Sequence, residues 1–170
     1  MHATRLRAEL LAPLSSLVAL ALAVSPAAAQ QPSRLHPELR VDAIDVRSTR
    51  DATVHAGVGV GVPLGYYARL GLVAAGGVTR REDVERGSGR VDVVARFLLD
   101  PFREMRWGLS VGGGLSVAHT AGEDWRELLV VVVDAEAPAV RRYVVPSFQV
   151  GLGGGVRVGV IARRYQSRRR

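Results

Sequence analysis

Cysteine and lysine are both absent from the 170-residue chain, and aromatic residues make up only 5% of it. Without cysteine there is no disulfide framework, thiolate nucleophile, Cys-based zinc site or iron–sulfur cluster. Without lysine, the formal net charge of +7 rests on arginine alone. Histidine is scarce too. Beyond residue 29 there are only His36, His55 and His119, and no cluster of histidines and carboxylates has metal-ligand spacing. No stretch after residue 29 is apolar over the roughly 20 residues that a transmembrane helix requires.

The first 29 residues have the three parts of a secretory signal peptide. Arg5 and Arg7 supply the positive region, and Leu10 to Val24 the apolar segment, interrupted by Pro13, Ser15 and Ser16. Ala27-Ala28-Ala29 gives the small-x-small pattern, with cleavage expected before Gln30. The apolar segment is too short for an uncleaved anchor. Cleavage leaves residues 30–170, about right for one domain. Removing Arg5, Arg7 and Glu9 leaves 21 arginines against 15 acids. A basic balance can point to nucleic acid. Here the arginines are scattered and no recognition helix is present, so no nucleic-acid partner is expected.

What the chain has instead is alternation. Val54 to Val62 reads V-H-A-G-V-G-V-G-V. Val54, Ala56, Val58, Val60 and Val62 share one face of an extended strand, and His55, Gly57, Gly59 and Gly61 share the other. A period of two excludes a helix. Strands are expected at about 38–47, 52–62, 66–79, 89–99, 106–118 and 125–136. Ser48–Asp51, Pro63-Leu64-Gly65, Asp100–Glu104 and Thr120–Asp124 serve as turns between them. Arg80 to Ser88 is expected to be the most charged loop, and Ala137–Val144 a looser connection. Residues 30–37 read as a flexible lead-in, 38–165 as the domain, and 166–170 as a basic tail. Pro146 to Arg163 is too long for one ordinary strand. A turn at Gly153-Gly154 splits it into 146–152 and 155–164, giving eight strands. A bend there would leave seven. The reading is therefore all-β, an antiparallel up-and-down barrel.

Two faces emerge. Val58, Val60, Leu70, Leu72, Val93, Leu109, Val111, Val150 and Val158 lie on apolar faces. Arg69, Asp92, Arg96 and Arg157 lie on the opposite ones, with Glu127 as a further candidate. The run Leu128 to Val133 is apolar on both faces and cannot be oriented. The non-valine faces carry glycine, serine, alanine and isolated arginines, which is poor in charge for a solvated surface. They suit a lumen, where glycine makes room for long side chains and Gly59 should accept a serine if space allows. The valine faces would then meet lipid. Eight strands enclose an interior just wide enough for side chains to fill, so no open pore is expected. Tyr66, Tyr67, Trp107, Trp125, Tyr143 and Tyr165 fall near strand ends, where interfacial aromatic girdles belong.

With its exported N-terminus, its Gly-rich strands such as G-L-S-V-G-G-G-L-S-V, and the closing V-G-L-G-G-G-V-R-V-G-V, the chain resembles the small outer-membrane β-barrel proteins of bacteria. The resemblance covers nearly all of 38–165 and rests on architecture. It implies an integral barrel of the cell outer membrane with a structural or interaction role, surrounded by outer-membrane lipid and inserted by the barrel assembly machinery. No cofactor is implied. Many members end on an aromatic residue that this machinery reads, whereas here Tyr165 is followed by Gln-Ser-Arg-Arg-Arg. Arg141-Arg142 and the Arg80–Arg90 loop are candidate contacts for lipopolysaccharide, or else simply solvated.

Two other readings remain open. One is a secreted or periplasmic β-barrel or sandwich with an apolar ligand inside. The other is a lipid-modifying barrel enzyme, which needs a serine within reach of a histidine base. Ser116 and His119 are the nearest such pair, but three residues along a strand put them on opposite faces. Gly57-x-Gly59-x-Gly61 and Gly112-Gly113-Gly114 have neither the following helix nor the lysine of a phosphate loop. No enzymatic activity is therefore expected.

Overall fold

The computed structural model describes residues 35–46, 51–102, 104–140 and 144–164. The strands are β1 (His36–Val46), β2 (Asp51–Leu64), β3 (Ala68–Arg81), β4 (Val84–Leu98), β5 (Gly108–Thr120), β6 (Arg126–Glu136), β7 (Val144–Leu152) and β8 (Val156–Arg164). Each pairs antiparallel with the next, and β8 pairs back on β1, so the sheet closes into an eight-stranded up-and-down barrel. Closure removes the free edge strands that an open sheet would have. The seven-strand alternative is excluded. Gly153–Gly155 is a true turn, with Gly154 and Gly155 at φ of 73° and 151°, angles that a side chain would resist.

The charged segment 80–88 is not a loop. β3 runs on to Arg81 and β4 begins at Val84, leaving Glu82 and Asp83 as a two-residue turn with φ of 47° and 68°. Positive φ at both central residues gives the twist that a tight hairpin needs. The charges mislead because they belong to cross-strand partners: Arg80 stands opposite Glu85, and opposite charges so placed favour pairing. β1 starts at His36, inside the expected lead-in. The expected signal peptide (1–29), most of the lead-in and the basic tail (166–170) lie outside the described residues. So do Arg141, Arg142, Tyr143 and Tyr165.

Antiparallel order defines two ends. The start of β1, the end of β8, the turn at 65–67 and the described residues between β4 and β5 and between β6 and β7 share the terminal end. The connections at 82–83, 121–125 and 153–155 lie at the opposite, hairpin end.

Side-chain distribution is inverted relative to a water-soluble barrel. Leu39, Val41, Val54, Val58, Leu72, Val93, Val111, Leu129, Val131, Val150 and Val158 project outward and are exposed. Inward positions carry Glu38, Arg40, Asp42, His55, Arg69, Arg90, Asp92, Arg96, Asp134, Gln149, Arg157 and Arg163, all buried. In β6 the inward residues are Leu128, Val130, Val132 and Asp134, which orients the ambiguous run. Val130 and Val132 meet Val94 in a small apolar cluster. Glu127 points outward and is exposed, so it is no part of the interior.

Several inward glycines are set by space. A Cβ at Gly71 would stand 2.5 Å from Arg96 Nη1, and one at Gly112 would stand 3.0 Å from Arg96 Cγ. One at Gly159 would collide with Asp42 Oδ1. Gly59 has no room for the serine that its sequence position suggested. A Cβ there would lie 2.8 Å from Leu72 O and 2.9 Å from both Glu38 Cγ and Val73 Cγ2.

Candidate functional site: the ion-paired lumen

The lumen is built by strict alternation along every strand, which delivers one inward side chain per two residues. On β1 the sequence Glu38-Leu39-Arg40-Val41-Asp42 turns Glu38, Arg40 and Asp42 inward. Their partners come from strands across and around the barrel.

Near the terminal end, Glu136 accepts hydrogen bonds from Arg69 Nη1 (2.9 Å) and Arg163 Nη1 (2.8 Å). Arg163 also donates to Glu38 (3.1 Å) and to Ser147 Oγ (3.1 Å). Midway, Asp134 accepts from Arg96 Nε and Gln149 Nε2, both at 2.7 Å. Gln149 Oε1 in turn accepts from Arg40, which also grips Asp42 through Nε (3.0 Å) and Nη2 (2.6 Å). Gln149 therefore links the two halves of the network.

Toward the hairpin end, Arg90 donates to Asp42, to Asp92 (3.1 Å) and to His55 Nδ1 (3.1 Å). Arg157 Nη1 donates to Asp92 Oδ2 at 2.8 Å. A guanidinium can only donate, so His55 Nδ1 is an acceptor and its Nε2–H donates to Ser88 Oγ at 2.9 Å. At the rim, Arg81 bridges Asp51 (2.7 Å) and Glu123 (2.9 Å).

Among the described residues six buried arginines and six buried carboxylates meet in this interior. Buried ions are costly to desolvate and are retained only when paired and hydrogen-bonded, while removing one partner strands the other. The network therefore acts as an interdependent plug.

The four residues expected in the lumen do not form one group. Arg157 and Asp92 pair directly, whereas Arg96 goes to Asp134 and Arg69 to Glu136. Glu38, Arg40, Asp42, Arg90, Asp134, Glu136, Gln149 and Arg163 were not anticipated, although the alternation of β1 already carried three of them. Arg90, expected on a surface loop, is 3% exposed and lies inside, so it is not available to an external anion. Val58, Val60, Leu70, Leu72, Val93, Leu109, Val111, Val150 and Val158 all occupy outward positions.

Tyr66 and Trp107 are exposed at the terminal end, where an aromatic patch forms. Tyr67 stacks on Phe97 (centroids 6.0 Å apart) and meets Phe102 edge-on (6.1 Å), and Tyr66 lies 6.2 Å from Phe102. At the hairpin end, exposed Trp125 stacks on His119 at 4.8 Å.

His119 is half-buried at an outward position of β5 beside Trp125, while Ser116 is buried inside. The two do not meet, and no serine–histidine pair forms between them. Among the described residues no group of three or more histidines and carboxylates is placed to hold a metal ion. Compared with known proteins, the chain matches no family model, and no curated protein matches it significantly.

Proposed function

We propose that this chain is a small integral β-barrel of the bacterial outer membrane, closed by its ion-paired lumen. It serves as a membrane-embedded scaffold or interaction module rather than as a pore or an enzyme. The observation that carries this reading is the inversion of the barrel wall. Valine and leucine cover the outside between the two ends, and twelve buried charged residues are gathered within. In water such a surface would be a large contiguous apolar patch of the kind that soluble monomers avoid. In lipid it is what a barrel wall requires, because a closed barrel pairs its backbone polar groups from strand to strand. The strands are long enough. Even β7 and β8, at nine residues each, reach the span of a tilted transmembrane strand.

The aromatic clusters at both ends fit interfacial girdles. The charged interior offers an apolar ligand little that is complementary, which disfavours the periplasmic binding-protein reading. Outer-membrane lipid is the surrounding partner. The exposed Arg80, Arg86 and Arg126 at the hairpin end are the described cations available to lipopolysaccharide phosphates.

Extraction of washed membranes tests the proposal. The protein should remain in the pellet after high salt and alkaline carbonate, and should leave it only with detergent. An unboiled sample should migrate differently from a boiled one on a denaturing gel. Release by carbonate alone would overturn the integral-barrel reading in favour of a secreted or periplasmic barrel.

A further inference from the structure

The charges of the lumen do not balance evenly along its axis. Near the terminal end and midway, Arg69, Arg96 and Arg163 face Glu38, Asp134 and Glu136, three against three. Toward the hairpin end, Arg40, Arg90 and Arg157 share Asp42 and Asp92, and Arg40 also lies 3.8 Å from Glu38. The remaining buried carboxylate, Asp51, is taken up by Arg81 at the rim. Arg157 has Asp92 as its described ion-pair partner, a carboxylate it shares with Arg90, and it lines a cavity of about 50 Å³.

The walls of that cavity are rich in donors. Arg157, 1% exposed, spends Nη1 on Asp92, while its Nε and Nη2 have no hydrogen-bond partner. Ser116, also 1% exposed, has an unpartnered hydroxyl. Ser88 accepts from His55 Nε2–H, which leaves its own proton free to be donated elsewhere. Arg157, Ser116, Ser88, His55 and Arg90 all line the cavity. The lining carboxylate, Asp51, is already engaged by Arg81, and the lining hydroxyls of Thr53 and Thr79 bond each other at 2.9 Å. Buried donors left unpaired are costly. Unpartnered donors on and around a guanidinium favour a negative partner over water.

We propose that this cavity is a binding site for one small monovalent anion, of chloride or formate size, held by Arg157 Nε and Nη2 and by the hydroxyls of Ser116 and Ser88. The space admits a few water-sized bodies, enough for such an ion with a water beside it and too little for a sugar acid. The ion satisfies the unpartnered donors of Arg157 and Ser116, and it locks the hairpin end of the plug. The inference does not depend on where the barrel resides.

The test is made on the purified full-length protein, in whichever medium keeps it folded. Crystals grown with bromide should show one anomalous peak within about 3.5 Å of Arg157 Nη2 and Ser116 Oγ, beyond hydrogen-bond length because a halide is larger than oxygen. In solution, replacing gluconate by chloride or formate at constant ionic strength should raise the urea midpoint along a saturating curve. Ser116→Ala should shift that curve to several-fold higher anion concentration, and Arg157→Gln should abolish it. If Arg157→Gln does not fold, the Ser116→Ala curve and the bromide peak still decide. Water alone in the cavity, with equal midpoints in gluconate and chloride, overturns the proposal. So does a non-saturating salt response unchanged by Ser116→Ala.

Discussion

Arg157 on β8 donates to Asp92 on β4 at 2.8 Å, across the width of the lumen, and both side chains are essentially sealed from solvent. Arg90 reaches the same Asp92 oxygen at 3.1 Å. One carboxylate thus holds two guanidiniums from opposite walls. Asp92→Asn keeps the shape and removes the charge that both of them need. Breaking a buried pair from one side typically costs about 3–5 kcal/mol. Asp92→Asn is expected to lower unfolding free energy by that order in a urea titration. Arg157→Gln added to it should cost much less than the two single losses combined, because the stranded cation is then gone. Additive losses would show that the two residues do not act as a pair.

The outer face makes a different demand. Val58 is 58% exposed at the middle of β2. An arginine on the lipid face of a barrel costs roughly 2–4 kcal/mol near the membrane midplane. Val58→Arg should therefore reduce the fraction that inserts into preformed vesicles, while Val58→Leu should leave it unchanged. Vesicle flotation measures this. Equal insertion by both variants would mean that Val58 does not meet lipid.

Glycine substitutions separate packing from mere composition. A Cβ at Gly59 meets three atoms below 3.0 Å, while one at Gly87 meets nothing within 4 Å. Gly59→Ala is expected to destabilise by about 1–3 kcal/mol through overpacking. Gly87→Ala should be neutral or slightly stabilising, because it only restricts the unfolded chain. Comparing their urea midpoints with that of the unchanged protein checks both expectations.

These contrasts show what was legible in the sequence. The choice of eight strands over seven hung on reading Gly153-Gly154 as a turn. Alternation between valine and glycine carried the inside–outside assignment of β2 to β5, because the side-chain period of two leaves only one register that buries one face. It said nothing on partner choice, since Arg96 finding Asp134 and Arg40 reaching Gln149 depend on which walls of the closed barrel face each other. Arg90 was misplaced for a local reason: hydrophilic residues around Glu82 and Asp83 read as a loop, though cross-strand pairing carries them as hairpin. Leu128–Val133 resisted orientation because Val130 and Val132 keep an apolar cluster inside an otherwise charged lumen. Gly59 looked roomy because a missing side chain reads as space in a sequence, whereas here the neighbouring strand has already filled it.

The turn between β3 and β4 offers a gain rather than a loss. Glu82 and Asp83 both hold positive φ, a region that costs most side chains free energy and that asparagine and glycine tolerate. Replacing the pair by Asn-Gly supplies the residues that a tight two-residue hairpin turn favours. The substitution removes the Arg80–Asp83 contact, but its side chains are 61% and 89% exposed, and exposed pairs contribute little. The double variant Glu82→Asn, Asp83→Gly should therefore raise the urea midpoint, by an amount equivalent to roughly 1 kcal/mol. Chloride dependence should be unaltered, since the turn lies beyond the lumen cavity. An unchanged or lowered midpoint would show that the Asp83 contact, rather than backbone conformation, decides the stability of this hairpin.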